Sequence, residues 1–447
     1  MSNFIPSALN YAVSVLDGVS VNTFQLLPNS STSVSPSGQV SVAIPDGALV
    51  GLDTLRMYAK VKGVGSGVAP NKCFARLPQV NDMIARTTVS VNGIQVCGSN
   101  GAYGDSMALS TLANEDYSRS QSVEATLANG NIDAQTTTQT DQEGTFCWHN
   151  WENIFGKSSV KIASTAAIGS MVLTVTLQDN SCLVPCGAAG VGGLLTPLED
   201  GNAPNIRYTM EDVRFTIDCY SIAGGFYEAL LEQRLQEAPI AILYLETYSF
   251  LTDGITGGSS SARFSLATRC LDRLYMASRN NSYGDVGKAA VNLAVTGAIG
   301  NQFRPNRTRF RCFDPAKTAT FQTQINNSSQ PAFRNPLVIG GANSAFSQTD
   351  EGFNNGLQGR GNSIYSLDAY NEGCGVVVQS YKMPSGLMNP MTSTLGLNTK
   401  GVNCSGVYSV QGQQGITAGT SAAALLVVAH TQAQMLIGMG RQVAVSF

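Results

Sequence analysis

The chain has 447 residues, of which 43% are hydrophobic and only 13% charged, with a formal net charge of −3. That is enough apolar material for two or three packed domains. It excludes a disordered protein, which would exchange hydrophobic residues for charge, and a dedicated nucleic-acid binder, which would carry a basic field. The longest strongly apolar run, 422–429, is far too short to cross a bilayer as a helix.

The N-terminal stretch Met1-Ser-Asn-Phe-Ile-Pro-Ser7 has no basic segment followed by an apolar core, and Ser2 stands where myristoylation needs glycine. The expectation is a soluble chain made in a cytosol-like compartment. Its sequons, at Asn29, Asn280, Asn306, Asn326, Asn327 and Asn403, are then expected to stay unmodified.

Period-2 alternation marks the first strands. Val40, Val42 and Ile44 form one face of a short strand that ends at Pro45-Asp-Gly47. Leu55, Met57, Ala59 and Val61 alternate with Arg56, Tyr58, Lys60 and Lys62. Val89–Val96 is a hairpin closed by Asn92-Gly93, whose residues tolerate the positive φ of a two-residue turn. A short helix is predicted over 105–113, with Met107, Leu109 and Leu112 on its apolar side. Met171, Leu173, Val175 and Leu177 make another strand, and Val213, Phe215, Ile217 and Cys219 close the first half.

The centre of the chain changes period twice. Phe226–Glu237 has helical spacing, Pro239 stops it, and Ile240–Phe250 returns to strand. Further strands are predicted at 262–266, 270–277, 309–313, 319–325 and 406–410. The chain ends with separate strands at 422–429, 433–437 and 442–447. Polar stretches at 114–144, 180–205, 254–261, 340–362 and 381–403 read as loops. Many short strands with Gly, Pro and Asn turns mean sandwiches or barrels. Two eight-stranded units with their loops fill this length.

Sites with chemistry are few. The two histidines differ in setting: His149 lies in the aromatic run Cys147-Trp-His-Asn-Trp151, which reads as packing, and His430 ends an apolar strand. No Gly-x-Ser-x-Gly elbow frames a serine nucleophile. Cys182 and Cys186 form the closest cysteine pair, but structural zinc calls for a second pair. In a large chain without an export signal, the ten cysteines read as reduced core residues. The glycine-rich run 187–193 lacks the Lys-Ser/Thr of a phosphate loop. Arg304, Arg307, Arg309 and Arg311 are the one basic concentration. They read as a solvated or intersubunit strand face, with an inward contact to genome or internal membrane as the alternative. No catalytic, metal or cofactor residue is assigned.

Several segments occur in an order that resembles the double jelly-roll major capsid proteins of polinton-like viruses, virophages and related eukaryotic DNA viruses. They are 46–61, 76–96 with 100–105, 162–179, Tyr208–Asp218 followed by 226–236, and the ending His430–Val445. The resemblance covers essentially the whole chain and rests on order and spacing. It implies an all-β double jelly roll, a first roll at 1–225, a connecting helix at 226–238 and a second roll at 239–447. It also implies a structural, non-enzymatic role, with no small-molecule substrate. The chain would form a homotrimeric, pseudo-hexagonal capsomer within the virion, assembled inside the host cell. Its partners would be itself, neighbouring trimers, and penton and other minor capsid proteins, with genome or internal membrane as a further contact. The rival readings are a minor capsid or spike protein and a secreted carbohydrate-active sandwich. The helix is expected to pack near the base of the first roll. Asp at Leu230 and Leu231 is therefore expected to lose soluble trimer.

Overall fold

In the computed structural model, the described residues are 19–65, 74–77, 83–98, 103–104, 106–107, 143–149, 151–189, 195–197, 206–222, 226–255, 258–280, 319–326, 328–330, 337–339, 376–381, 396–410 and 423–446. The first half contributes strands β1 (Val19–Leu26), β2 (Gln39–Ala43), β3 (Leu49–Gly51), β4 (Arg56–Val64), β5 (Phe74–Arg76), β6 (Ile84–Val91) and β7 (Ile94–Gly98). It continues with β8 (Glu143–Trp148), β9 (Ile162–Ser164), β10 (Met171–Leu177), β11 (Val184–Ala189), β12 (Leu195–Pro197) and β13 (Arg207–Ile222).

One sheet runs β8-β4-β13-β3-β9, with β1 paired to β13, and a second runs β2-β10-β6-β7. Their facing stripes were set by alternation: Met57, Ala59 and Val61 from one sheet meet Val89, Val91, Leu173 and Val175 from the other in a single buried cluster. Trp148 and Trp151 close one side of it, edge to face with ring centroids 5.9 Å apart, and the Trp151 indole donates to the Leu55 carbonyl at 2.8 Å. The aromatic run around His149 therefore packs, as its composition suggested.

The helix Phe226–Glu237 joins the halves. The second half contributes β14 (Ile240–Ile255), β15 (Gly258–Phe264), β16 (Leu271–Asn280), β17 (Ala319–Ile325), β18 (Ser328–Gln330), β19 (Leu337–Ile339), β20 (Val376–Ser380), β21 (Cys404–Val410), β22 (Ala423–Gly438) and β23 (Gln442–Ser446). Sheets β14-β22-β16-β20 and β15-β21-β17-β18 enclose a second cluster. There Phe264, Phe321 and Ile325 face Leu274, Met276, Val427 and Ala429.

Three expectations change. The runs 422–429 and 433–437 are parts of one 16-residue strand, because His430 and Thr431 are buried within it rather than breaking it. His430 therefore sits mid-strand. The stretch 180–205 is not all loop, since β11 pairs with β5 and β12. The stretch 254–261 holds the end of β14 and the start of β15. Of the helix predicted over 105–113, only Ser106 and Met107 are described, both helical; the rest lies outside the described residues. The strand expected at 309–313 also lies outside them.

Candidate functional site: the waist between the sandwiches and the exposed surfaces

The strands β14 and β22 are 16 residues each and pair along nearly their whole length, Ile240 with Ile437 at one end and Ile255 with Ala423 at the other. Successive side chains on a strand point to opposite faces, so one face of this ribbon carries the even positions of β14 and the odd positions of β22. At one end that face supplies Ile242, Tyr244, Ala433, Met435 and Ile437 to the core of the first sandwich. At the other end it supplies Leu425, Val427 and Ala429 to the second core, with Tyr248 and Phe250 packed against it. Between the two apolar stretches lies one polar pair, Glu246 opposite Thr431. It marks a waist where one core gives way to the other.

The first sandwich grips this waist along an edge and on both faces. Along the edge, Ser159 N–H donates to the Leu243 carbonyl at 2.8 Å and Leu245 N–H to the Lys157 carbonyl at 3.0 Å. On one face, the Tyr244 hydroxyl donates to the Val96 carbonyl at 2.8 Å, and Gly98 N–H donates to the Glu246 carboxyl at 3.0 Å. On the opposite face, His430 lies 3.6 Å from the Glu152 carboxyl and 4.6 Å, centroid to centroid, from the Tyr275 ring. At the far end, the Asn92 amide donates to the carbonyls of Arg441 and Ile168, each at 2.9 Å, while its oxygen accepts Ser170 N–H. Arg441 in turn reaches the Ala166 carbonyl at 2.9 Å and the Asp46 carboxylate at 3.3 Å.

Burial sets the electrostatics. Glu246 is 3% exposed, and desolvation pushes its carboxyl up to about 7 against the pull of the Gly98 N–H and the Cys97 thiol. His430 is 6% exposed, and burial, with the charges of Arg273 and Lys157, lowers its ring to about 3. Burial also raises the Cys97 thiol and the Tyr244 phenol. These groups are enclosed between strands and hold structure together.

The exposed surfaces differ in character. Strand β1 pairs with one edge of β13, yet Val21 and Phe24 stay about half exposed, at 54% and 49%. Asn22 and Phe24, with Leu49, Tyr220 and Tyr227, line a shallow groove where the helix leaves the sheet. On the helix, Leu235 is half-buried against the first core, and Leu230 is exposed.

Arg304, Arg307, Arg309 and Arg311 lie outside the described residues. Cys182 is buried, as are Cys97, Cys147, Cys219, Cys270 and Cys404. Cys186 falls in β11. Among the described residues no group of three or more His, Cys, Asp and Glu side chains could hold a metal ion. The waist residues Glu246, Glu152 and Asn92 were missed in the sequence. The one available signal was Glu246, a lone acid in the otherwise uncharged run 240–250.

No protein-family model matches the chain, and no curated protein matches it by sequence. Solved structures do match along its length. The capsid of PBCV-1 aligns over 96% of this chain and 97% of its own, with a TM-score of 0.61 at 13% identity. The mavirus major capsid protein aligns over 100% and 95%, at 0.50 and 10% identity. The Faustovirus major capsid protein aligns over 94% and 91%, at 0.52 and 8% identity. The fold is a double jelly roll. In this double jelly roll the two sandwiches are the two rolls, and the waist is the place where the second roll's longest strands run into the first roll's core.

Proposed function

We propose that this chain is the major capsid protein of an icosahedral DNA virus and acts by assembly, without catalysis. The observation that carries the reading is full-length likeness: both rolls, in order, align with solved capsid proteins over more than nine-tenths of each chain. A charge-poor chain suits a subunit that buries much of its surface against copies of itself. Three chains of two rolls each would give a pseudo-hexagonal capsomer. Side-by-side packing in the trimer would bury an obligate-type area, on the order of 2,000 Å² or more per contact. Weaker contacts between trimers, and with penton and other minor capsid proteins, would then close the shell within the virion.

The proposed organisation is a first roll at 1–225, a connecting helix at 226–238 and a second roll at 239–447. The basic stretch Arg304, Arg307, Arg309 and Arg311 is proposed, on sequence alone, as an intersubunit or inner-surface strand. Charge reversal of Arg307 and Arg309 discriminates between these roles. Loss of filled particles with normal empty shells marks an inner genome contact, and loss of trimer marks a subunit interface.

Light scattering on the purified chain tests the assembly reading. Three chains of 47.0 kDa make a species of about 141 kDa. A monomer that stays monomeric at high concentration would refute it.

A further inference from the structure

The ribbon of β14 and β22 brings two ionisable groups to the waist, at neighbouring positions that face opposite ways. Glu246 points to the first roll's β7 and accepts Gly98 N–H at 3.0 Å. His430 is paired with Thr247, the next residue of β14, and so lies on the other face, 3.6 Å from Glu152. Each therefore touches the first roll from the second roll's ribbon, and both are almost fully buried, at 3% and 6% exposure. Opening the waist would bring both into water.

The groups around each are unlike. Glu246 faces Cys97 from β7 and the phenols of Tyr244 and Tyr248 from its own strand, while β22 places Thr431 opposite. No opposite charge among the described residues supports its ionised form. His430 faces Glu152 and Tyr275, with the charges of Arg273 and Lys157 nearby. Burial favours the uncharged state of both. A neutral carboxyl releases a proton to water when it is exposed at mildly acidic pH, and a neutral imidazole takes one up.

We propose that the waist is a proton-balanced latch, in which opening frees a proton from Glu246 and adds one to His430, so that its grip holds level across mildly acidic pH. The sign follows from linkage. Glu246 alone would weaken the waist as pH rises from its unfolded value of 4.5 towards about 7. His430 alone would weaken it as pH falls from 6.5 towards about 3. Between 4.5 and 6.5 the two slopes oppose each other.

Hydrogen exchange on the full chain, corrected for the intrinsic pH dependence of exchange, tests this at pH values from about 5 to about 6.5. In the wild type, peptides covering 94–98 and 240–247 are expected to change their opening equilibrium by less than about threefold over that range. Glu246→Gln leaves His430 unopposed, so opening should rise about tenfold for each unit of acidification. His430→Gln leaves Glu246 unopposed, so opening should rise about tenfold for each unit towards neutral. Peptides covering 319–325, in the second roll's other sheet and touching neither group, serve as the reference that follows neither slope. A steep wild-type profile overturns the proposal, as do variants that are both flat or slope the same way. Should one variant not fold, the wild type and the other still decide, because the proposal needs a flat profile in the first and a slope of known sign in the second.

Discussion

Trp151 shows how one side chain can serve both core and topology. It is fully buried against Trp148, and its indole ties the segment after β8 to the Leu55 carbonyl before β4. Trp151→Ala should cost about 3–5 kcal/mol in denaturant unfolding, from the cavity and the orphaned carbonyl together. Asn92 is a second such residue. With Gly93 it adopts the positive φ angles, 51° and 78°, of the tight hairpin turn that the Asn-Gly pair announces. Its side chain then makes three hydrogen bonds to other segments, one of them to the C-terminal turn at Arg441. The conformational role was legible in the sequence. The bonding role was not, because its partners lie at 168, 170 and 441, beyond the reach of any local pattern. Asn92→Gly should keep the turn and lose the bonds. A loss of about 1–3 kcal/mol in equilibrium unfolding, with the hairpin's cross-strand contacts intact by NMR, is the expected result. Gly169 stands against this amide so closely that a Cβ there would lie 2.1 Å from the Asn92 oxygen, and Gly169→Ala should be at least as damaging.

At the scale of elements, alternation was a reliable guide wherever one face of a strand is buried. Met171–Leu177 and Ala319–Ile325 have the observed bounds, and the helix Phe226–Glu237 was read from its change of period. Strand β1 was missed because residues 20–25 are exposed on both faces and the apolar positions change parity from Val19 and Val21 to Phe24 and Leu26, so no single stripe marks it. The division of β22 into two strands came from the polar stretch at 430–432, which looks like a break in sequence and is the waist in space. The helix itself separates into two sides. Leu235 packs on the first core and Leu230 is 48% exposed. Leu230→Asp should change unfolding stability by no more than about 0.5 kcal/mol. Leu235→Asp buries a charge beside apolar side chains and should destabilise the chain markedly in the same assay. The expected loss of trimer on placing Asp at both Leu230 and Leu231 then concerns assembly through Leu230 and folding through half-buried Leu231.

For the whole molecule, the two-roll count was legible from length, strand density and the central helix, whereas the joint between the rolls was not. A boundary drawn at the helix suggests two independent cores. In space, the ends of β14 and β22 feed Ile242, Tyr244, Met435 and Ile437 into the first core. The rolls therefore share a structural ribbon, and a capsomer built from three chains would inherit six rolls of fixed pairwise orientation. Single-particle electron microscopy of the purified oligomer tests this directly. A trimer of double rolls gives particles with three-fold symmetry and a six-lobed outline, each chain filling two adjacent lobes. A single two-lobed particle, or a two-fold dimer, would contradict it.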